Sequence, residues 1–166
     1  MAASVRRIAA QMMPYRATAP FDWAAILRLI RSEFAYMDAR INPPSSMHRL
    51  TEADMASTAE NGEIWVVGTP PLACMFLTLQ ADSLYLGKLA VSASTRGKGM
   101  ARALVEVAES RARALGLAAV ELQTRVELLE NQAAFQAMGF VETSRTAHPG
   151  FAQPTSISYR KAVQAR

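Results

Sequence analysis

Residues 84–115 constrain the fold more than any other part of this chain. Residues 84–91 read as a strand, and Arg96-Gly97-Lys98-Gly99 reads as a tight turn opening a helix over residues 97–115. Met100, Leu104, Ala108, Ala112 and Leu115 line one side of that helix, and Gly116 ends it. A strand feeding a long amphipathic helix needs a sheet for the helix to cover, so the fold class is α/β. The turn also carries chemistry. Gly97 and Gly99 let the backbone approach a ligand closely. The first four amides of the helix lack internal acceptors and sit at the positive end of its dipole. A pyrophosphate complements such a place, with Arg96 and Lys98 adding full charges. The bland alternative is a glycine turn carrying surface cations. Two rival loops are excluded by spacing: G-x-x-x-x-G-K-S/T is absent, and G-x-G-x-x-G fails at Arg102.

The remaining chain supplies the sheet and its other covering helices. A strand is expected over residues 12–17. Pro20 opens a helical pattern with Trp23, Ile26, Leu27, Ile30 and Phe34 on one face. Asn42-Pro43-Pro44-Ser45-Ser46 must be a loop, since adjacent prolines cannot continue a helix. Thr51 and Asp54 have the spacing of a reciprocal helix cap. Strand-like runs at residues 64–67, 72–79 and 84–91, separated by Gly68-Thr69-Pro70-Pro71 and Ala81-Asp82-Ser83, predict an antiparallel meander. Residues 118–122 read as a strand, 131–138 as a short helix closed by Gly139, and 140–143 and 156–159 as the last strands. The expected architecture is a mixed, mostly antiparallel sheet of about six to seven strands flanked by about four helices. At 166 residues the chain is read as one domain over 1–166, with residues 1–11 a flexible extension.

Composition narrows the partners. The single cysteine, Cys74, excludes an internal disulfide framework and a thiolate metal cluster, and no metal is expected. It lies in the apolar run Leu72-Ala73-Cys74-Met75-Phe76-Leu77, which favours a buried strand thiol over a nucleophile. The formal charge of +4 is mostly arginine, dispersed without a basic block, so nucleic acid is not an expected partner. No run approaches the ~18 apolar residues of a membrane span. Arg6 and Arg7 are not followed by a long apolar stretch, so a cytoplasmic protein without a membrane partner is the expectation.

Two segments resemble one family. Arg96-Gly97-Lys98-Gly99-Met100-Ala101, preceded by Leu89-Ala90-Val91, resembles the Q/R-x-x-G-x-G/A loop of the GNAT N-acetyltransferase superfamily. Glu130-Asn131, Phe135 and Gly139-Phe140 resemble that family's E-N-x-x-F/Y-Y-x-x-x-G-F segment, in the expected order. The resemblance spans residues 15–160 and is to small, bacterial-type, single-domain members. It implies acetyl-CoA as co-substrate, with no metal. It implies that the strands at 84–91 and 118–122 splay apart and admit the pantetheine arm, held around Leu89, Ala90 and Val91. Arg96, Gly97, Lys98, Gly99, Met100 and Ala101 would cradle the diphosphate, with Asn131 and Phe135 beside the cofactor. For Asn131 a plain helix N-cap is the competing reading.

The departures from the family pattern concern acid–base chemistry. Phe135 stands where the family usually has a tyrosine that protonates the departing sulfur, and a phenyl ring cannot donate a proton. The strand position that often holds a carboxylate base is Tyr85, and Lys88 also lacks that role. Catalytic residues are therefore unassigned. The candidates are Tyr36, Asp38, His48 and Glu127, with Glu33, Arg125 and the turn at His148 also near the expected site. Solvated, capping or loop roles compete for each. The expected function is direct transfer of the acetyl group from acetyl-CoA to an amine of a small molecule or peptide. The alternative is a non-catalytic acyl-CoA sensor. A monomer or homodimer is expected.

Overall fold

The computed structural model describes residues 2–164. Its elements are α1 (Ala2–Gln11), β1 (Tyr15–Ala17), α2 (Trp23–Phe34), α3 (Glu52–Asn61), β2 (Glu63–Val67), β3 (Ala73–Leu79) and β4 (Ser83–Val91). They continue with α4 (Met100–Ala114), β5 (Ala119–Arg125), α5 (Leu129–Ala137), β6 (Val141–Thr146) and β7 (Ser156–Ala162). The seven strands form one open sheet in the order β1-β2-β3-β4-β5-β7-β6. Every pairing is antiparallel except β4 with β5. The mixed, mostly antiparallel sheet expected from the strand pattern is the sheet observed.

Strand alternation sorts the core into two layers. In β3, Ala73, Met75 and Leu77 face one side with Leu104, Val105, Ala108 and Ala112 of α4. Cys74 and Phe76 face the other, with Ile26 and Ile30 of α2 and Met55 of α3. A period of two in the strand thus meets the helical period of α2 and α4 on opposite faces. Each fully buried Leu or Ile contributes about 1.5–3 kcal/mol. At the far end of α4, Arg111 donates to Glu63 of β2 at 2.7 Å, and Trp65 Nε1 donates to the same carboxylate at 2.7 Å.

Several boundaries differ from the sequence reading for local reasons. Residues 2–11, where no element was expected, form α1. Helix α2 begins at Trp23, capped by Asp22 accepting from the amide of Ala25, rather than at Pro20. The Thr51–Asp54 cap is reciprocal as its spacing required: Asp54 N–H donates to Thr51 Oγ1 at 3.1 Å, and Thr51 N–H donates to Asp54 Oδ2 at 2.8 Å. Helix α4 begins at Met100, three residues later than expected, because Gly97 and Gly99 take left-handed φ of 77° and 81°. Helix α5 begins at Leu129 with Leu128 at its N-cap, so Asn131 is not the cap.

Candidate active site

β4 and β5 pair only from Ser83↔Ala119 to Tyr85↔Glu121, although β4 runs on to Val91 and β5 to Arg125. Beyond that register each strand has an edge the other does not satisfy. A bulge sharpens the separation. Cys74 faces Ala90 and Phe76 faces Gly87, so Met75 alone opposes both Lys88 and Leu89. Lys88 takes a φ of 50°, a left-handed conformation that costs a non-glycine residue ~1–2 kcal/mol. Its carbonyl accepts from the Cys74 thiol at 3.6 Å.

The gap opens into a cavity of about 1270 Å³. One wall is β4 from Tyr85 to Val91, including Leu89 and Ala90, and the facing wall is Leu122–Arg125 of β5. At one end lie Arg96, Gly97, Gly99, Met100, Ala101 and Arg102. Gly99 is the N-cap of α4, and no side chain caps the helix; the first internal bond runs from Ala103 N–H to Gly99 C=O at 2.9 Å. A Cβ built on Gly97 or Gly99 meets no atom within 4 Å, so the space over both glycines is open. Helix amides, dipole and cations together suit an anion. Phe135 and Asn131 of α5 line the adjoining wall, with the Phe135 ring 6.0 Å edge-to-face from Phe140 and 6.5 Å from Tyr159. Lys98 lies outside the lining.

The other end is built from the segment between α2 and α3, which contributes Tyr36, Pro43, Pro44, Ser46, His48 and Arg49. His48 Nε2 and Asp38 Oδ1 are 2.6 Å apart. Two sequence candidates therefore meet as an imidazole oriented by a carboxylate, with His48 at the cavity and Asp38 behind it. Glu127 does not line the cavity, and its Oε2 is buried without a hydrogen-bond partner among the described residues. Arg40 forms an ion pair with Glu130 and stacks over Tyr36, 5.7 Å from its ring centroid. The Arg40 hydrogen bond holds the Glu130 carboxyl down at about 2.

Two contacts unforeseen in the sequence span the gap. Lys88 of β4 donates to Ser46 Oγ, and Arg125 of β5 donates through Nη2 to Pro43 C=O at 2.7 Å and Pro44 C=O at 3.2 Å. The loop Pro43–Ser46 is thus strapped across the two strands where they diverge. Burial, reinforced by the charge of Arg49, lowers the pKa of Lys88. Burial raises the pKa of Tyr85. His148 also borders the cavity with its ring Nδ1 against Thr155 Oγ1; burial, then the charge of Arg125, lowers its pKa against an opposing pull from Glu127. Cys74 is fully buried and its thiol is pushed up to about 12 by desolvation, which fits the buried strand thiol and not a nucleophile. The double proline marks the loop; what it grips depends on residues 42 and 82 positions away.

A model of the acetyltransferase (GNAT) family matches residues 23–140. The fold is similar to that of an acetyltransferase of the GNAT family from Staphylococcus aureus, with a TM-score of 0.72 at 13% identity over 92% of this chain and 99% of that one. It is also similar to the ribosomal-protein-S18-alanine N-acetyltransferase from Escherichia coli, with a TM-score of 0.64 at 18% identity over 93% and 96%. A third similar structure is the IAA acetyltransferase from Bacillus cereus, with a TM-score of 0.62 at 16% identity over 91% and 99%. No curated protein matches the chain in sequence.

Proposed function

The chain belongs to the GNAT acetyltransferase family, and on that premise we propose that it moves the acetyl group of acetyl-CoA directly to an amine. The observation that carries this reading is the end of β4–β5 pairing at Tyr85↔Glu121, beside the uncapped start of α4. The gap offers an extended thioester-bearing arm a slot between two strand edges. The amides behind Gly97 and Gly99 offer its diphosphate an anion site.

In this reading the acceptor nitrogen attacks the thioester carbonyl, and a tetrahedral oxyanion forms. Backbone N–H groups of β4 around Leu89 and Val91 would stabilise it, a contribution of ~3–4 kcal/mol where geometry is good. The carbon–sulfur bond then breaks and sulfur carries away the electron pair. The nitrogen must lose a proton, and we assign its acceptance to His48, which lines the cavity and is oriented by Asp38 at 2.6 Å. Phe135 supplies no proton to sulfur, so the leaving group departs as thiolate or takes its proton from water. That missing hydroxyl is also what favours the second reading, a sensor that binds acetyl-CoA without turnover.

The acceptors named for two structural neighbours, a ribosomal protein's alanine and IAA, differ widely, and the donor site does not select between such groups. The experiment is thiol release from acetyl-CoA across a broad amine panel. Amine-dependent release supports the transferase. Tight acetyl-CoA binding without release to any amine supports the sensor. The reaction is expected in the cytoplasm, with a small-molecule or peptide acceptor.

A further inference from the structure

The charges lining the cavity do not balance. Its lining carboxylates are Glu33 and Glu130, and each is already paired, Glu33 with Arg96 and Glu130 with Arg40. Of the lining cations, Arg102 stands at the first turn of α4, the end suited to a diphosphate. That leaves Arg49, Lys88 and Arg125, of which Lys88 and Arg125 bond to the Pro43–Ser46 loop and Arg49 follows it in the chain. None of these three forms an ion pair with a carboxylate among the described residues.

Their hydrogen bonds do not neutralise them either. Lys88 donates to a hydroxyl, Ser46 Oγ, and Arg125 Nη2 donates to the carbonyls of Pro43 and Pro44. Arg125 Nη1 is buried without a hydrogen-bond partner among the described residues, and the charge of Glu127 offsets part of the Arg125 charge from beyond ion-pair distance. Arg49 is exposed, lines the same cavity, and lies close enough for its charge to act on Lys88. Like charges held together beside a partly desolvated space are unfavourable until an anion joins them.

Resting on the acetyl-transfer reading above, we propose that Arg49 and Lys88, backed by Arg125, form a carboxylate subsite in the acceptor end of the cavity. The acceptor is then a small amine carrying a carboxylate, as in an amino acid. The carboxylate is held at Arg49 and Lys88 while the amine points toward the gap between β4 and β5. A phosphate is the less suited oxyanion. The open glycines and uncapped helix amides that favour phosphate lie at the other end of the cavity, around Gly97–Arg102.

The test measures kcat/KM for thiol release from acetyl-CoA with the common amino acids, their C-terminal amides, ethanolamine and phosphoethanolamine. The proposal expects the best amino acid to exceed its own amide by about ten-fold or more, since an unpaired cationic site discriminates strongly against a neutral analogue. Arg49→Met should remove most of that advantage through KM, and Arg49→Lys should restore it. Arg49 is exposed, so these variants should fold, with circular dichroism as the check. Amides used as well as acids overturn the proposal. So does a preference for phosphoethanolamine, an acid preference that survives in both Arg49→Met and Lys88→Met, or refusal of every carboxylate-bearing amine by protein that acetylates other amines. Failure of the acetyl-transfer reading is a separate result: no acetyl-CoA binding in calorimetry, or binding with no thiol release to any amine, whether or not it carries a carboxylate.

Discussion

Arg96 Nη2 donates to Glu33 Oε2 at 2.8 Å, which ties the glycine loop before α4 to the last turn of α2. The Glu33 side chain is only 11% exposed and that of Arg96 56%. The loop's arginine therefore reads first as a strut and second as a phosphate ligand. Arg96→Met should cost about 1–2 kcal/mol, because it strands a mostly buried carboxylate, and Glu33→Gln should cost less. Glu33→Gln should also tighten CoA binding at low ionic strength, with the gain shrinking as salt screens the freed guanidinium. Urea titrations and calorimetry at two salt concentrations check both expectations.

Gly99 should separate backbone strain from obstruction. Its φ is 81°, and the space where a Cβ would stand is open. Gly99→Val should destabilise the fold by ~1–2 kcal/mol and weaken CoA binding. Gly99→Asn tolerates the left-handed conformation better, so it should fold close to the parent and still bind CoA less well. Equal affinity in folded Gly99→Asn would remove the close backbone approach from the account.

Phe135 lines the cavity with its ring packed on Phe140 and Tyr159. Phe135→Tyr should keep acetyl-CoA binding and leave turnover unchanged or raise it, up to ~10²–10⁴-fold where the new hydroxyl meets the leaving sulfur. Phe135→Ala should weaken binding by a few kcal/mol at most, through lost packing. Steady-state thiol release across pH compares the three proteins. Turnover abolished in Phe135→Tyr with binding intact would contradict its place beside the sulfur.

Glu63 makes stability sensitive to acid. Burial opposes its ionisation, but hydrogen bonds from Arg111 and Trp65 and the charges of Arg111 and Arg16 outweigh that, so its pKa is lowered from 4.5. A carboxyl depressed in the folded state contributes stability above its unfolded pKa and loses it as pH falls through the folded one. Stability should therefore drop as pH falls below about 4.5. Glu63→Gln should be less stable at neutral pH, and its stability should depend less on pH in that acid window. Urea midpoints between pH 3 and 7 provide the check.

Local signals in the sequence carried much of this fold. The heptad-like spacing of Trp23, Ile26, Ile30 and Phe34, the Thr51–Asp54 cap and the meander from Glu63 to Val91 are fixed by neighbours a few residues apart. Gly97 and Gly99 were legible because glycine alone takes such φ values without strain. The end of β4–β5 pairing was not, since it depends on register between strands more than thirty residues apart; only family resemblance suggested it. Arg96–Glu33, Lys88–Ser46 and Arg125–Pro43 are likewise set by tertiary packing. Arg49 carries no local signal for the same reason, as the role proposed for it arises only from what the fold brings beside it.

On the proposed reading, the gap beyond Tyr85 and Glu121, with the amides behind Gly97 and Gly99, is an acetyl-CoA site. Calorimetric titration of acetyl-CoA at low salt tests it most directly, paired with a melting curve. One molecule should bind per chain, and the melting temperature should rise with ligand concentration, because a ligand selective for the folded state stabilises it. Absence of binding by both acetyl-CoA and CoA, in protein shown to be folded, would contradict it.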